Sequence, residues 1–99
     1  MGEPKLTKAE IIERIHQEVD VSKKNIHKIL DLLFQEIKAG LLQDQIIELR
    51  GFGTFEVKTR KGRKARNPKT GEVVDVSNHG VAVFRPGREL KQKAWFLRE

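Results

Sequence analysis

The chain has 99 residues and a mass of 11.4 kDa, which suits one domain and leaves no length for two independent cores. Apolar residues make up 37% and charged residues 34%, so the chain can fold but is thin in apolar surface for a monomer with any extended part. The formal charge is +6, and the absence of cysteine excludes disulfide scaffolds, thiol nucleophiles and cysteine-based zinc sites.

No apolar run approaches the roughly 18–20 residues of a membrane span. Met1-Gly2-Glu3-Pro4-Lys5-Leu6 carries neither the apolar stretch of a signal peptide nor the hydroxyl residue that N-myristoylation requires. A soluble, cytoplasmic protein is expected.

Thr7-Lys8-Ala9-Glu10 is a capping-box sequence, in which the Thr hydroxyl takes a free amide and Glu10 reaches back. Behind it Ile11, Ile12, Ile15 and Val19 fall on one face, which predicts a helix from about Thr7 to Val19. Asp20-Val21-Ser22 offers a turn and a second N-cap. Ile26, Ile29, Leu30, Leu33, Phe34, Ile37 and Leu41 then recur at steps of three and four to about Gln43. So broad a stripe needs more cover than one short helix supplies, either a sheet or another copy of the chain.

From Ile46 the period becomes two. Ile47 and Leu49 alternate with Glu48 and Arg50, and after Gly51-Phe52-Gly53 the residues Phe55 and Val57 alternate with Thr54, Glu56 and Lys58. Two strands around a glycine-permitted tight turn are expected. Asn67-Pro68-Lys69-Thr70-Gly71 reads as a turn, and Val74 and Val76 begin a returning strand. Val81-Ala82-Val83-Phe84 resumes core-strand character, and Pro86-Gly87 opens a last helix with Leu90, Ala94 and Leu97 on one face. The expected fold is α+β: a helical part over 7–43, sheet and arm over 46–84, and a C-terminal helix over about 86–97. The arm is expected at about 58–76, between strands of a three-stranded antiparallel sheet.

The positive charge is concentrated. Residues 58–69 hold Lys58, Arg60, Lys61, Arg63, Lys64, Arg66 and Lys69 and no acidic residue, whereas the rest of the chain is nearly balanced. Such a run repels itself and belongs in solvent or against a polyanion. Taken alone it also fits a solvated loop or, through Arg60-Lys61-Gly62-Arg63-Lys64, a nuclear localisation signal. Neither explains its place in the middle of a small domain. On a two-legged β-ribbon, by contrast, it has the dimensions of a DNA groove, and Pro68 at the tip is a rigid apolar wedge of the kind that kinks DNA from the minor groove. An ordinary turn proline is the plainer account of Pro68 by itself.

Three stretches carry a resemblance: Gly51-Phe52-Gly53-Thr54-Phe55, Arg66-Asn67-Pro68-Lys69-Thr70-Gly71 and Phe84-Arg85-Pro86-Gly87-Arg88-Glu89-Leu90-Lys91. With the Asp20-Val21-Ser22-Lys23 junction, they are similar, without insertion, to signature stretches of the HU/integration host factor family of bacterial nucleoid proteins. The likeness spans roughly residues 5–92. It implies an intertwined dimer, with itself or with a paralogous chain, whose two arms embrace double-stranded DNA. It also implies minor-groove or backbone contacts from Lys58, Arg60, Lys61, Arg63, Lys64, Arg66, Asn67 and Lys69, with Pro68 intercalating. Lys8, Lys23, Arg85, Arg88 and Lys91 match positions where DNA crosses the body, and free helix-start amides suit phosphate there. Ile26, Ile29, Leu30, Leu33, Phe34, Ile37, Phe52, Phe55 and Phe84 fall to the core or the dimer interface.

Two departures stand out. Asp44 occupies the place where many members end the second helix with Gly, so a different exit is expected. Residues 92–99 extend past the usual family end; Trp95 and Phe96 are expected to cap the body, or else to contact DNA with Lys93 and Arg98.

Other chemistries fit poorly. Arg50-Gly51-Phe52-Gly53 begins an RNA-recognition pattern, but Thr54, Phe55 and Val57 break it, and the chain opens on two helices where that fold needs a strand. His16, His27 and His79 lack metal-site spacing, and Gly51-Phe52-Gly53 lacks a third glycine and a following helix. No metal, cofactor, small-molecule substrate or catalytic residue is expected. The expected function is an architectural protein that bends and compacts duplex DNA largely without sequence preference. The alternatives are a site-specific bender and a basic RNA-binding protein.

Overall fold

A computed structural model of the chain describes residues 4–98, so Met1, Gly2, Glu3 and Glu99 lie outside it. The described elements run α1 (Lys8–Glu18), α2 (Lys23–Leu42), β1 (Ile47–Leu49), β2 (Gly53–Arg60), β3 (Arg63–Arg66), β4 (Val73–Val76), β5 (His79–Pro86) and α3 (Arg88–Trp95). A 3-10 turn over Phe96–Arg98 follows. The contacts fall into two compact units that divide between Glu36 and Ile37, inside α2.

In the first unit, Thr7 caps α1: its Oγ1 accepts from the Glu10 amide at 3.3 Å. The Glu10 carboxylate returns to the Thr7 hydroxyl at 3.4 Å. Ser22 does the same for α2, accepting from the Asn25 amide at 3.2 Å. Ile26 is the one large apolar side chain among the described residues that is buried, at 4% exposure. Ile11, Ile12, Ile15 and Leu30 are half-buried. Ile29, at 59%, and Leu33 and Phe34 on the α2 stripe are exposed.

The second unit begins with the last turns of α2. Gln45 N–H donates to the Gly40 carbonyl at 2.9 Å and Asp44 N–H to the Leu41 carbonyl at 3.0 Å. These two bonds, with Asp44 at φ 58°, are the pattern of a left-handed helix stop. The exit expected to differ therefore keeps the geometry a glycine would give. An aspartate is among the few residues that visit this region readily, which is why the substitution is tolerated.

A three-stranded antiparallel sheet follows in the order β1-β2-β5. β1 pairs with β2 through Ile47↔Phe55 and Leu49↔Gly53, closed by a turn in which Phe52 N–H meets the Leu49 carbonyl at 2.9 Å. Gly53 is required sterically: a Cβ there would overlap the Phe84 ring and stand 2.6 Å from the Arg85 carbonyl. β2 and β5 pair over eight positions, from Gly53↔Pro86 to Arg60↔His79.

Because directly paired residues share a face, Phe55, Phe84, Val57 and Ala82 lie on one side of this sheet, and Glu56, Arg85, Val81 and Val83 on the other. Phe52, Phe55 and Phe84 form a cluster, their ring centroids 4.9–6.5 Å apart. It is only partly covered, with Phe52 at 49% exposure and Phe84 also exposed. Beside it, Val57, Thr59, Gly80 and Ala82 line an open, mainly apolar cleft with Leu41 and Leu42 from the end of α2.

Candidate nucleic-acid interface

The basic run divides between two structural settings. Lys58 and Arg60 belong to the main sheet, opposite Val81 and His79. Lys61 and Gly62 on one leg, and Ser77 and Asn78 on the other, interrupt the ladder. Beyond them β3 and β4 form a separate two-stranded ribbon with the pairs Arg63↔Val76, Lys64↔Asp75, Ala65↔Val74 and Arg66↔Val73. The break is itself organised, since Gly62 N–H donates to the Asn78 side-chain carbonyl at 2.5 Å. Asn78 carries no charge and matches no motif, and its role was not readable from sequence.

The ribbon is open to solvent. From Lys61 to Asn78 every residue is exposed save Ala65 and Val76, which are half-buried and share a face with Arg63 and Val74. Lys64 and Arg66 lie on the opposite face, where Asp75 sits across from Lys64. A ribbon so poor in apolar contacts has no core to dock on, and its cations are free to meet an external anion.

Its tip is held by its own hydrogen bonds. Asn67 N–H donates to the Glu72 carbonyl at 2.8 Å, and Gly71 N–H returns to the Asn67 carbonyl at 2.7 Å. The Asn67 side-chain oxygen accepts from Lys69 N–H at 2.9 Å, and Thr70 Oγ1 accepts from Glu72 N–H at 3.2 Å. Gly71 takes φ 75°, open to glycine without strain. Arg66 Nη1 donates to the Gly71 carbonyl at 3.3 Å. Pro68 thus stands exposed on a loop held by its own hydrogen bonds.

Three of the five candidate cations of the body are engaged. In the first unit, Lys8 pairs with Asp31 and stands 5.9 Å from the Phe34 ring centroid, and Lys23 Nζ lies 2.6 Å from Glu13 Oε2. In the second, Arg85 Nε lies 2.5 Å from Glu56 Oε2. Arg88 and Lys91 line a small cleft with Gln92, Trp95 and Phe96. The acidic partners Glu13, Asp31 and Glu56 were not anticipated, because a carboxylate on a helix face or strand does not announce its partner.

Trp95 and Phe96 do not cap the body. They are 71% and 66% exposed, a correction that follows from the shortness of α3: its eight residues give Leu90 and Ala94 one face and turn the aromatics outward. Lys93 pairs along its own helix, its Nζ 2.9 Å from Glu89 Oε1. Among the described residues no group of His, Asp or Glu could hold a metal ion, and no helix is long and apolar enough to cross a membrane.

A family model described as bacterial DNA-binding protein matches residues 6–94. The chain belongs to that family. Members similar to it include the integration host factor alpha subunits of Pseudomonas aeruginosa and Marinobacter nauticus, each 41% identical over 88 residues, covering 89% of this chain and 88% of the relative. Among solved structures it is similar to Anabaena HU in a cocrystal with DNA, with a TM-score of 0.84 at 30% identity, covering 89% of this chain and 96% of that one. An HU variant from Thermotoga maritima superposes with a TM-score of 0.65 at 28% identity, covering 89% and 97%. The helical pair, the three-stranded sheet and the ribbon are therefore the family architecture.

Proposed function

We propose that this protein is an architectural, nucleoid-associated DNA-binding protein that grips duplex DNA with its ribbon and bends it by wedging Pro68 between base steps. The observation that carries this reading is the solvent-exposed ribbon with Arg63, Lys64, Arg66 and Lys69 on one leg and tip, and a hydrogen-bonded tip presenting Pro68. Lys61 and Asn67 extend the contact along the ribbon, and Lys58 and Arg60 continue it onto the adjoining sheet. Lys8, Lys23, Arg85, Arg88 and Lys91 supply phosphate contacts from the body. The similarity to an HU chain crystallised with DNA supports the same reading.

The working form is a dimer. Ile29, Leu33 and Phe34 on α2 and, separately, Phe52 and Phe84 on the sheet remain exposed in the single chain, apolar surface of the kind that marks an interaction site. A second copy covering the α2 stripe and the aromatic face of the sheet removes it from water. Sedimentation at micromolar concentration is expected to give the mass of two chains, and a monomer mass would refute this.

Binding of this kind is electrostatic. If about 8 phosphates are neutralised, log K falls against log salt with a slope near −7. Anisotropy titrations of a labelled duplex at several salt concentrations test this directly; an affinity indifferent to salt would remove the role given to the basic run.

A second reading is supported by the 41% identity to integration host factor alpha subunits. In it the protein selects deformable sites and pairs with a different chain. Minor-groove contacts discriminate bases poorly, so selection would rest on the cost of bending particular sequences. A panel of duplexes differing only in central step composition separates the two.

A further inference from the structure

The far end of α3 is not explained by the ribbon. Arg88, Lys91, Gln92 and Trp95 are spaced i, i+3, i+4 and i+7, so they form one stripe of the helix. Phe96, which ends the helix with φ −86° and ψ −4°, brings a second ring to the same place. Together these five residues line an open cleft of about 400 Å³. Among the described residues no acidic one lines it, and the acid on this helix, Glu89, is held by Lys93. Trp95 and Phe96 lie beyond residue 94, where the family match ends.

We propose that this cleft is a second nucleic-acid site, which stacks an unpaired nucleobase on Trp95. The inference rests on the DNA-binding reading above and adds a site to it. The chemistry of the lining selects the ligand. Two cations suit the phosphates on either side of a base, the Gln92 amide offers both donor and acceptor to a base edge, and the exposed indole offers a face for stacking. Base faces inside a duplex are already stacked, so the site takes a single-stranded stretch. An apolar protein partner fits less well, since it would bury Arg88 and Lys91 without partners.

Trp95 is the only tryptophan in the chain, so intrinsic emission reports on this cleft alone. The full-length protein is titrated with a twelve-nucleotide oligothymidylate and, separately, with a covalently closed circular duplex, which has no ends and no loops. The oligothymidylate is expected to quench the emission much more strongly than the closed duplex, whose phosphates reach Arg88 and Lys91 without a base stacking on the indole. Trp95→Ala is expected to weaken oligothymidylate binding about tenfold and leave duplex affinity within about twofold, with Trp95→Phe in between. Oligothymidylate binding without quenching, or with no loss in Trp95→Ala, would overturn the proposal. So would emission that shifts to the blue with protein concentration alone, because a second copy would then cover Trp95. If neither DNA binds, the DNA-binding reading itself fails; if the duplex binds normally while Trp95 stays silent, only the second site does.

Discussion

Arg85 is held by Glu56 across the sheet, its Nε 2.5 Å from a carboxylate oxygen that is otherwise buried. Glu56 is paired in register with Val83 and Arg85 with Thr54, so the two ions meet diagonally on one face of the β2–β5 ladder. While the pair persists, Glu56 competes with a phosphate for the Arg85 charge. Glu56→Gln keeps the shape and releases the guanidinium. Duplex binding by this variant is expected to steepen by about 0.9 in the slope of log K against log salt, one more phosphate being neutralised. Salt-series anisotropy titrations check this, and an unchanged slope would mean that Arg85 faces no phosphate.

Lys23 is held in the same way by Glu13, and here the pairing has a pH signature. The Lys23 ammonium, by hydrogen bond and by charge, holds the Glu13 carboxyl below its ordinary range. A depressed folded pKa stabilises the fold at pH above the ordinary carboxylate value, and that contribution is lost as pH falls through the depressed one. The junction between α1 and α2 is therefore expected to weaken below about pH 4.5 in the wild type. Glu13→Gln removes this component of the acid loss. Thermal melts followed by helical circular dichroism from pH 6 to pH 3 should show the two proteins converging as pH falls.

Pro68 contributes shape and no charge. Pro68→Ala leaves every ribbon cation in place, so duplex affinity is expected to fall only about threefold or less, while the bend angle drops clearly. Asn67→Ala acts differently, because it removes the side-chain oxygen that accepts from Lys69 N–H and loosens the loop that presents the wedge. Gel mobility of circularly permuted fragments gives the bend angle apart from affinity. Equal angles for wild type and Pro68→Ala would contradict the wedge.

Much of this architecture was legible in the residues. Thr7 and Ser22 announced both helix starts, because a capping hydroxyl is a local device whose partner lies three residues away. The change of period at Ile46 placed the sheet and Pro68 the tip of the ribbon, but the arm expected from residue 58 begins only at Arg63, because Lys58 and Arg60 stay paired with β5. What escaped had long-range causes. Glu56 meets Arg85 only because β5 returns to β2 after the ribbon, and Asn78 meets Gly62 for the same reason. Asp44 was read as a change of helix exit, whereas its backbone takes the left-handed conformation itself. Trp95 and Phe96 look like core residues by type, and the direction a short helix gives them is not written in their spacing.

The central claim is that the ribbon bends what it binds. End-to-end fluorescence energy transfer on a mixed-sequence duplex of about 35 base pairs, roughly 120 Å long, measures this directly. Titration with the protein at low salt is expected to bring the ends together, and added salt to part them again. Saturated binding with the ends still apart would contradict the account, leaving a protein that coats DNA without bending it.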